Sequence, residues 1–421
     1  MFGIEDAGRG FHAKSQRKAQ RPCQPVPLRA MMRCMAGLAR FPTIEAVVDG
    51  HQLMVASGGP ERLDALMTLI TTATESLRVL FYIFSDDKAG VRVRSALIEA
   101  AQRGVKVWIL VDGFGTAGQS DAFYQPLSDA GVSFARFLPR WGRSYLLRNH
   151  QKIVVADEKR ALVGGANVDE AYFDDAAPGG GWHDLFLKIE GPAAPRLARY
   201  FDSLRRWMAM ERPTLRGLIR ILARRSDHTG PLRLLMGGPF RRMSPLTLAI
   251  KQDLEHGNCV DLVQAYFAPN WGMMRRLSRV EARHGDVRII TAARSDNNTT
   301  IAAARHCYRR LLGGGAAIYE YLPQKLHMKL IIIDDLVYIG SANFDMRSLF
   351  INAEIMIRIE DAAFAKQMRQ FFAAHLTHCG AVTRESHKQQ SSLIARARWL
   401  VSYFLVSTLD FTVTRQNLRR L

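Results

Sequence analysis

At 421 residues, 48% apolar and 23% charged, the chain is globular in composition and long enough for two domains, and no uninterrupted apolar run of about eighteen residues offers a membrane span. A formal net charge of +19 points to polyanions, nucleic acid or an anionic lipid surface, without choosing between them. Cys23, Cys34, Cys259, Cys307 and Cys379 have neither metal-ligand spacing nor an even count, so they read as reduced thiols, with neither a zinc site nor a disulfide framework expected.

Residues 1–43, rich in Gly, Gln and Arg and passing through Pro22, Pro25 and Pro27, read as a disordered basic leader. Over 44–211 strand and helix patterns alternate: Arg78 to Phe84 as strand, Val91 to Gln102 as helix, Val105 to Val111 as buried strand. That alternation predicts α/β architecture. Residues 212–245, basic and bearing Pro and Gly, read as a linker. Over 246–380 the first order returns, with Cys259 to Phe267 as strand, Met273 to His284 as helix and Val287 to Thr291 as strand. The chain therefore contains an internal duplication. In 381–421 the apolar run Trp399 to Val406 is flanked by Arg396, Arg398, Arg415, Arg419 and Arg420, and reads either as an interfacial segment on anionic lipid or as a helix packed on the second domain.

Each repeat ends in the same constellation. His150 and Lys152 with Asp157, and His327 and Lys329 with Asp334, both spell H-x-K-x-x-x-x-D, and each is followed by a glycine-led tetrapeptide ending in Asn167 or Asn343. One such motif is weak evidence, but two at matching places in a duplication are not coincidence. Residues two apart on a strand share a face, so each His and Lys point together. With the turn centred between Glu158 and Lys159, Asn167 falls opposite His150, and imidazole, ammonium and amide converge as a phosphate site. The same geometry puts Asp157 about 17 Å from His150, so Asp157 and Asp334, although part of the catalytic signature, read as turn-stabilising residues. Asp184 is expected to orient His150, and Glu354 to orient His327, by hydrogen bonds that fix the tautomer; the alternative for each is an ordinary surface carboxylate. The turn Asp112-Gly113-Phe114-Gly115 reads as the end of a strand.

These paired motifs resemble the phospholipase D superfamily over about residues 44–380. Tyr82-Ile83-Phe84, Val111-Asp112-Gly113, Trp182-His183-Asp184-Leu185, Glu190-Gly191-Pro192 and Ile318-Tyr319-Glu320-Tyr321 are similar to its bacterial cardiolipin synthase branch. The resemblance implies two tandem phospholipase D-like domains, each a mixed β-sheet flanked by helices, related by a pseudo-twofold axis with one active site at their interface. It also implies a phosphohistidine intermediate, with His150 as nucleophile and His327 as acid/base, and neither cofactor nor metal. Lys152, Lys329, Asn167 and Asn343 would neutralise the phosphoryl oxygens. Two departures stand out: Gly165 replaces the usual Ser, and five rather than six residues separate Asp334 from Gly340. The expected function is transfer of a phosphatidyl group between two phosphatidylglycerol molecules, giving cardiolipin, by a peripheral enzyme on the anionic cytoplasmic face of a bacterial inner membrane. A phospholipase D-type hydrolase, a metal-independent nuclease and an inactive membrane scaffold are the competing readings, with nucleic acid disfavoured by the apolar C-terminal segment.

Overall fold

The computed structural model describes residues 41–137, 147–176 and 180–409, so residues 1–40 of the expected leader and the arginines beyond 409 lie outside the described residues. The first half supplies β1 (Ile44–Val48), β2 (His51–Ala56), β3 (Ser76–Phe81), β4 (Lys106–Asp112), β5 (Ser133–Phe137), β6 (Ile153–Ala156), β7 (Arg160–Gly164), β8 (Trp182–His183) and β9 (Phe186–Glu190). The second half supplies β10 (Leu232–Gly237), β11 (Cys259–Gln264), β12 (Phe267–Ala268), β13 (Asp286–Ala292), β14 (Ala317–Tyr321), β15 (Lys325–Leu326), β16 (Lys329–Ile333), β17 (Leu336–Gly340), β18 (Phe344–Asp345), β19 (Glu354–Glu360) and β20 (Cys379–Val382).

Two eight-stranded mixed sheets result, ordered β1-β2-β9-β7-β6-β3-β4-β5 and β10-β19-β17-β16-β11-β13-β14-β20. The duplication is visible strand by strand: from β2 to β5 and from β10 to β14 the order is the same, with β1 and β20 added at opposite edges. The motif strands Ile153-Val154-Val155-Ala156 and Leu330-Ile331-Ile332-Ile333 are buried throughout because both faces of each sheet are covered. Helices Gly59–Thr71 and Lys88–Gln102 pack one outer core, and Pro245–His256, Trp271–Ala282 and Asn298–Gly314 pack the other. A third core spans the two halves, joining Ile153, Val155 and Leu187 to Leu330, Ile332 and Ile357.

Several expectations change. Residues 212–245 are more than a linker, because after the helix Leu215–Arg224 the strand β10 pairs with β19 and occupies the place that β2 holds in the first sheet. Phe41, at the end of the expected leader, stacks on His375 at 3.7 Å. Among the described residues Cys307 and Cys379 are free thiols, as expected. The helix Leu393–Phe404 packs on the second domain, with Trp399 and Tyr403 buried and the Tyr403 hydroxyl donating to Pro269 O at 2.8 Å. Its other side is bare: Leu393, Ile394, Leu400, Val401 and Phe404 are all at least half exposed. Among the described residues no helix is long and apolar enough to cross a membrane.

The motif aspartates occupy the hairpin turns. Asp157, at φ 54°, accepts from the backbone N–H groups of Thr74, Glu75 and Ser76 at 2.7–3.2 Å, and Asp334, at φ 47°, from those of Asn258 and Cys259 at 2.9–3.2 Å. Each thereby ties its left-handed turn to the start of the neighbouring central strand, which removes both from the catalytic set. We expect Asp157→Ala to lower unfolding stability by about 2 kcal/mol, the scale of several lost charge-assisted bonds. Urea denaturation measures it, and the turnover of the folded fraction should stay within a few-fold of the parent.

Candidate active site

The hairpin registers decide where the motif side chains stand. In the first hairpin Ala156 pairs with Arg160 across a three-residue turn, and in the second Ile333 pairs with Leu336 across a two-residue turn. The one-residue length difference is thus absorbed in the turn, and Gly164 and Gly340 hold the same place relative to Lys152 and Lys329. The first turn is centred on Glu158, not between Glu158 and Lys159, so Asn167 falls one residue past the position opposite His150.

Both histidines reach the boundary between the halves, their ring centroids 6.5 Å apart. Each is fixed by the other half. The backbone N–H of His327 donates to His183 O at 2.8 Å, and that of His150 to Ala353 O at 2.9 Å. The next residue in each case is the carboxylate. His327 Nδ1 therefore meets Asp184 Oδ2 at 2.6 Å, and His150 Nδ1 lies 3.1–3.2 Å from the two carboxylate oxygens of Glu354. The expected pairs are exchanged: Asp184 orients His327, and Glu354 orients His150. Sequence distance suggested a partner within each repeat, whereas the parallel pairing of β8 with β15 and the Asn149–Ala353 bridge run between repeats.

Lys152 Nζ donates to His150 O at 2.7 Å, and Lys329 Nζ to His327 O. Lys329 Nζ also stands 2.7 Å from His327 Nδ1, but one atom cannot serve both neighbours; the anion Asp184 takes the ring proton and the ammonium directs its hydrogens to the carbonyl. The same tautomer in both rings leaves each Nε2 lone pair available. Burial lowers His150 to about 4 against the pull of Glu354, and burial reinforced by Lys329 lowers His327 to about 3. Burial likewise lowers Lys152 to about 7 and Lys329 to about 8. It works against ionisation of Asp184 and Glu354 as well, yet Lys329 and His327 beside the one, and His150 and Lys152 beside the other, hold both carboxyls below their usual range. With both lysines protonated, two ammoniums and two carboxylates balance, so an anion entering the site would leave it one charge negative and raise the proton affinity of the imidazoles.

Gly165 has a reason. A Cβ there would lie 2.5 Å from Asp184 Oδ1. Its counterpart Ser341 instead donates to Glu354 Oε2, filling the space around the other carboxylate. Asn167 is engaged at both ends of its amide, accepting from Ile83 N–H and donating to the Tyr172 hydroxyl, both at 3.2 Å, whereas the amide oxygen of Asn343 is buried without a hydrogen-bond partner among the described residues.

Arg62, Gln151 and Tyr172 join the site without any signal in the sequence, whereas Asp112, Tyr82 and Trp182 stand in the family-like stretches quoted above. Arg62, fully buried, donates to the carbonyls of Tyr172, Trp182 and Asp184 and so shapes the segment that delivers Asp184. Gln151, the variable residue of its motif, donates to Glu354 O at 2.9 Å and accepts from Tyr200 at 2.6 Å. Asp112 does form the strand-end turn, accepting from Phe114 and Gly115 N–H, and additionally holds Asn149 N–H at 2.7 Å. Tyr82 lies 5.0 Å from the His150 ring, and Tyr172 and Trp182 each 5.2 Å from that of His327. Aromatic faces thus wall the space around both histidines.

The family described as "Cardiolipin synthase, PLD-like domain" matches residues 66–205 and 251–376. Among curated proteins the chain is 29% identical to cardiolipin synthase A of Pseudomonas fluorescens over 86% of this chain and 76% of that protein, and 31% identical to cardiolipin synthase 2 of Bacillus cereus over 75% and 63%. Among solved structures it superposes on phosphatidylserine synthase of Haemophilus influenzae with a TM-score of 0.69 at 14% identity, covering 86% of this chain and 94% of that one. On polyphosphate kinase of Porphyromonas gingivalis the TM-score is 0.55 at 14% identity, covering 89% and 58%. At these identities the two structures establish a shared fold.

The crossed pairing predicts a specific spectroscopic response. In nitrogen-15 NMR of the histidine rings, Asp184→Asn and Gly165→Ala should each move the Nδ1 signal of His327 more than that of His150, and Glu354→Gln should do the reverse. A larger response at His150 to Asp184→Asn would restore pairing within each repeat.

Proposed function

Because the chain belongs to the cardiolipin synthase family of phospholipase D-like proteins, we propose that it makes cardiolipin from two phosphatidylglycerol molecules through a phosphohistidine on His150. It is an enzyme of the phospholipase D superfamily. The names of its relatives support phosphatidyl transfer as the reaction class. The observation that carries the finer reading is the facing pair of imidazoles, each with a carboxylate behind it and a buried lysine beside it.

In the first step His150 Nε2 attacks phosphorus, the bond from phosphorus to the glycerol oxygen breaks, and His327 Nε2 gives that oxygen its proton. The net negative charge of the loaded site provides His327 with that proton although burial keeps the ring neutral when the site is empty. In the second step the hydroxyl of another phosphatidylglycerol attacks phosphorus, its proton returns to His327, and the phosphorus–nitrogen bond breaks to release cardiolipin. Water in place of the acceptor gives phosphatidic acid. Lys152 and Lys329 supply positive charge to the phosphoryl oxygens throughout, with Asn167 and Asn343 as further donors to them.

Two surface features support a membrane-peripheral place of action. The helix Leu393–Phe404 turns Leu400, Val401 and Phe404 outward in a chain of net charge +19, a combination suited to reversible binding at an anionic lipid surface such as the cytoplasmic face of a bacterial inner membrane.

Purified enzyme on phosphatidylglycerol vesicles should form cardiolipin and free glycerol, and quenching in alkaline denaturant should leave the phosphatidyl group on His150. Vesicles that yield no cardiolipin, with single-stranded DNA cleaved instead, would replace lipid transfer by nuclease chemistry. Separately, the double substitution Leu400→Glu with Phe404→Glu should reduce co-sedimentation with those vesicles about tenfold or more, as expected for charges placed in a lipid interface. Undiminished binding would exclude this face as the contact.

A further inference from the structure

Each motif histidine is flanked by cations on both sides along its segment. Lys325, His327 and Lys329 alternate in sequence, as do Arg148, His150 and Lys152. In an extended segment alternate residues share a face, so each row presents a cation, an imidazole and a second cation spaced about 6.6 Å apart.

The two ends of a row differ in depth. Lys329 and Lys152 are buried beside the reacting centre, whereas Lys325 and Arg148 are only partly buried. The Lys325 ammonium stands 5.4 Å from the centre of the Trp182 ring, and that ring is 5.2 Å from His327. Lys325 is fixed there because it pairs with Trp182 in the short ladder between β15 and β8. Among the described residues it makes no salt bridge, and it is only partly buried, which leaves its charge available to a ligand.

The reaction proposed above needs such a charge. Both substrates are anionic phosphodiesters, and the deep lysines serve only the phosphoryl group being transferred. The acceptor's own phosphate sits one glycerol unit away from its attacking hydroxyl, further out from phosphorus. In-line attack on phosphohistidine brings that hydroxyl to the side where His327 removes its proton. We propose that Lys325 binds the phosphate of the acceptor lipid and so selects a phosphorylated alcohol over a neutral one. This inference rests on the cardiolipin reading and assigns Lys325 a part in acceptor binding only. As the acceptor reacts, its oxygen–phosphorus bond forms, the nitrogen–phosphorus bond to His150 breaks, and the hydroxyl proton passes to His327; Lys325 exchanges nothing.

The test is a competition within one reaction. Full-length enzyme acts on phosphatidylglycerol vesicles containing ethanol, and the ratio of cardiolipin to phosphatidylethanol is measured, so that general damage to the catalyst or its fold cancels. Lys325→Met should lower this ratio about fivefold, the scale of one partly exposed ion pair at its stronger end, and Lys325→Arg should restore most of it. A ratio unchanged in Lys325→Met, or a fall produced by Arg148→Met instead, overturns the assignment. A parent enzyme that forms phosphatidylethanol but no cardiolipin overturns the cardiolipin reading itself, a different outcome from the variant's failure to move the ratio.

Discussion

Two backbone hydrogen bonds exchanged between the halves, His327 N–H to His183 O and His150 N–H to Ala353 O, set the geometry of everything at the site. Each bond brings one motif histidine beside the residue that precedes the other half's carboxylate, so Asp184 and Glu354 arrive already in register. A carboxylate buried without a partner is costly, and losing one member of a buried charged pair costs about 3–5 kcal/mol. The lysines and carboxylates therefore stabilise the ionisation of one another while the imidazoles stay neutral, and neither half has a complete centre by itself. The apolar core shared between the sheets, with Ile153 and Val155 on one side and Leu330 and Ile332 on the other, keeps those two backbone bonds in place.

The two halves are alike in topology and different in detail, and the differences fall around the carboxylates. Ser341 donates to Glu354, while Gly165 gives the shorter Asp184 room that a methyl group would take. A longer turn in the first hairpin and a shorter one in the second deliver the following strands to the same register. Such asymmetry suits a reaction in which one imidazole attacks and the other carries the proton. In the proposed reaction the charge balance of the site lets His327, lowered to about 3, still act as the acid, because an anionic substrate would bring the negative charge that favours its protonation.

Much of this was legible in the residues. Period-two patterning and doubled motifs located the central strands, and alternate spacing placed His150 with Lys152 and His327 with Lys329 on shared faces. The rule that a strand rises about 3.3 Å per residue already separated Asp157 from its histidine. What the sequence hid was whatever depends on pairing between segments far apart in the chain. No local pattern states that Asp184 serves His327, since the two are brought together by two-residue strands too short to show periodicity. Leu232–Gly237 was hidden for a similar reason, because a basic and Gly-bearing neighbourhood masked a strand that becomes evident only beside β19. The buried Arg62 looked like any charge on an amphipathic helix, and its role appears only when three carbonyls converge on it.

The proposed reaction requires two successive displacements at phosphorus, the first by His150 and the second by the acceptor hydroxyl. Each in-line displacement inverts the phosphorus, so the stereochemical course of transfer from a chiral phosphorothioate analogue of phosphatidylglycerol reports their number directly. Two displacements predict that the product retains the configuration of the donor. Inversion would mean that the acceptor attacks the donor in a single step, and the phosphohistidine would have no place in the mechanism.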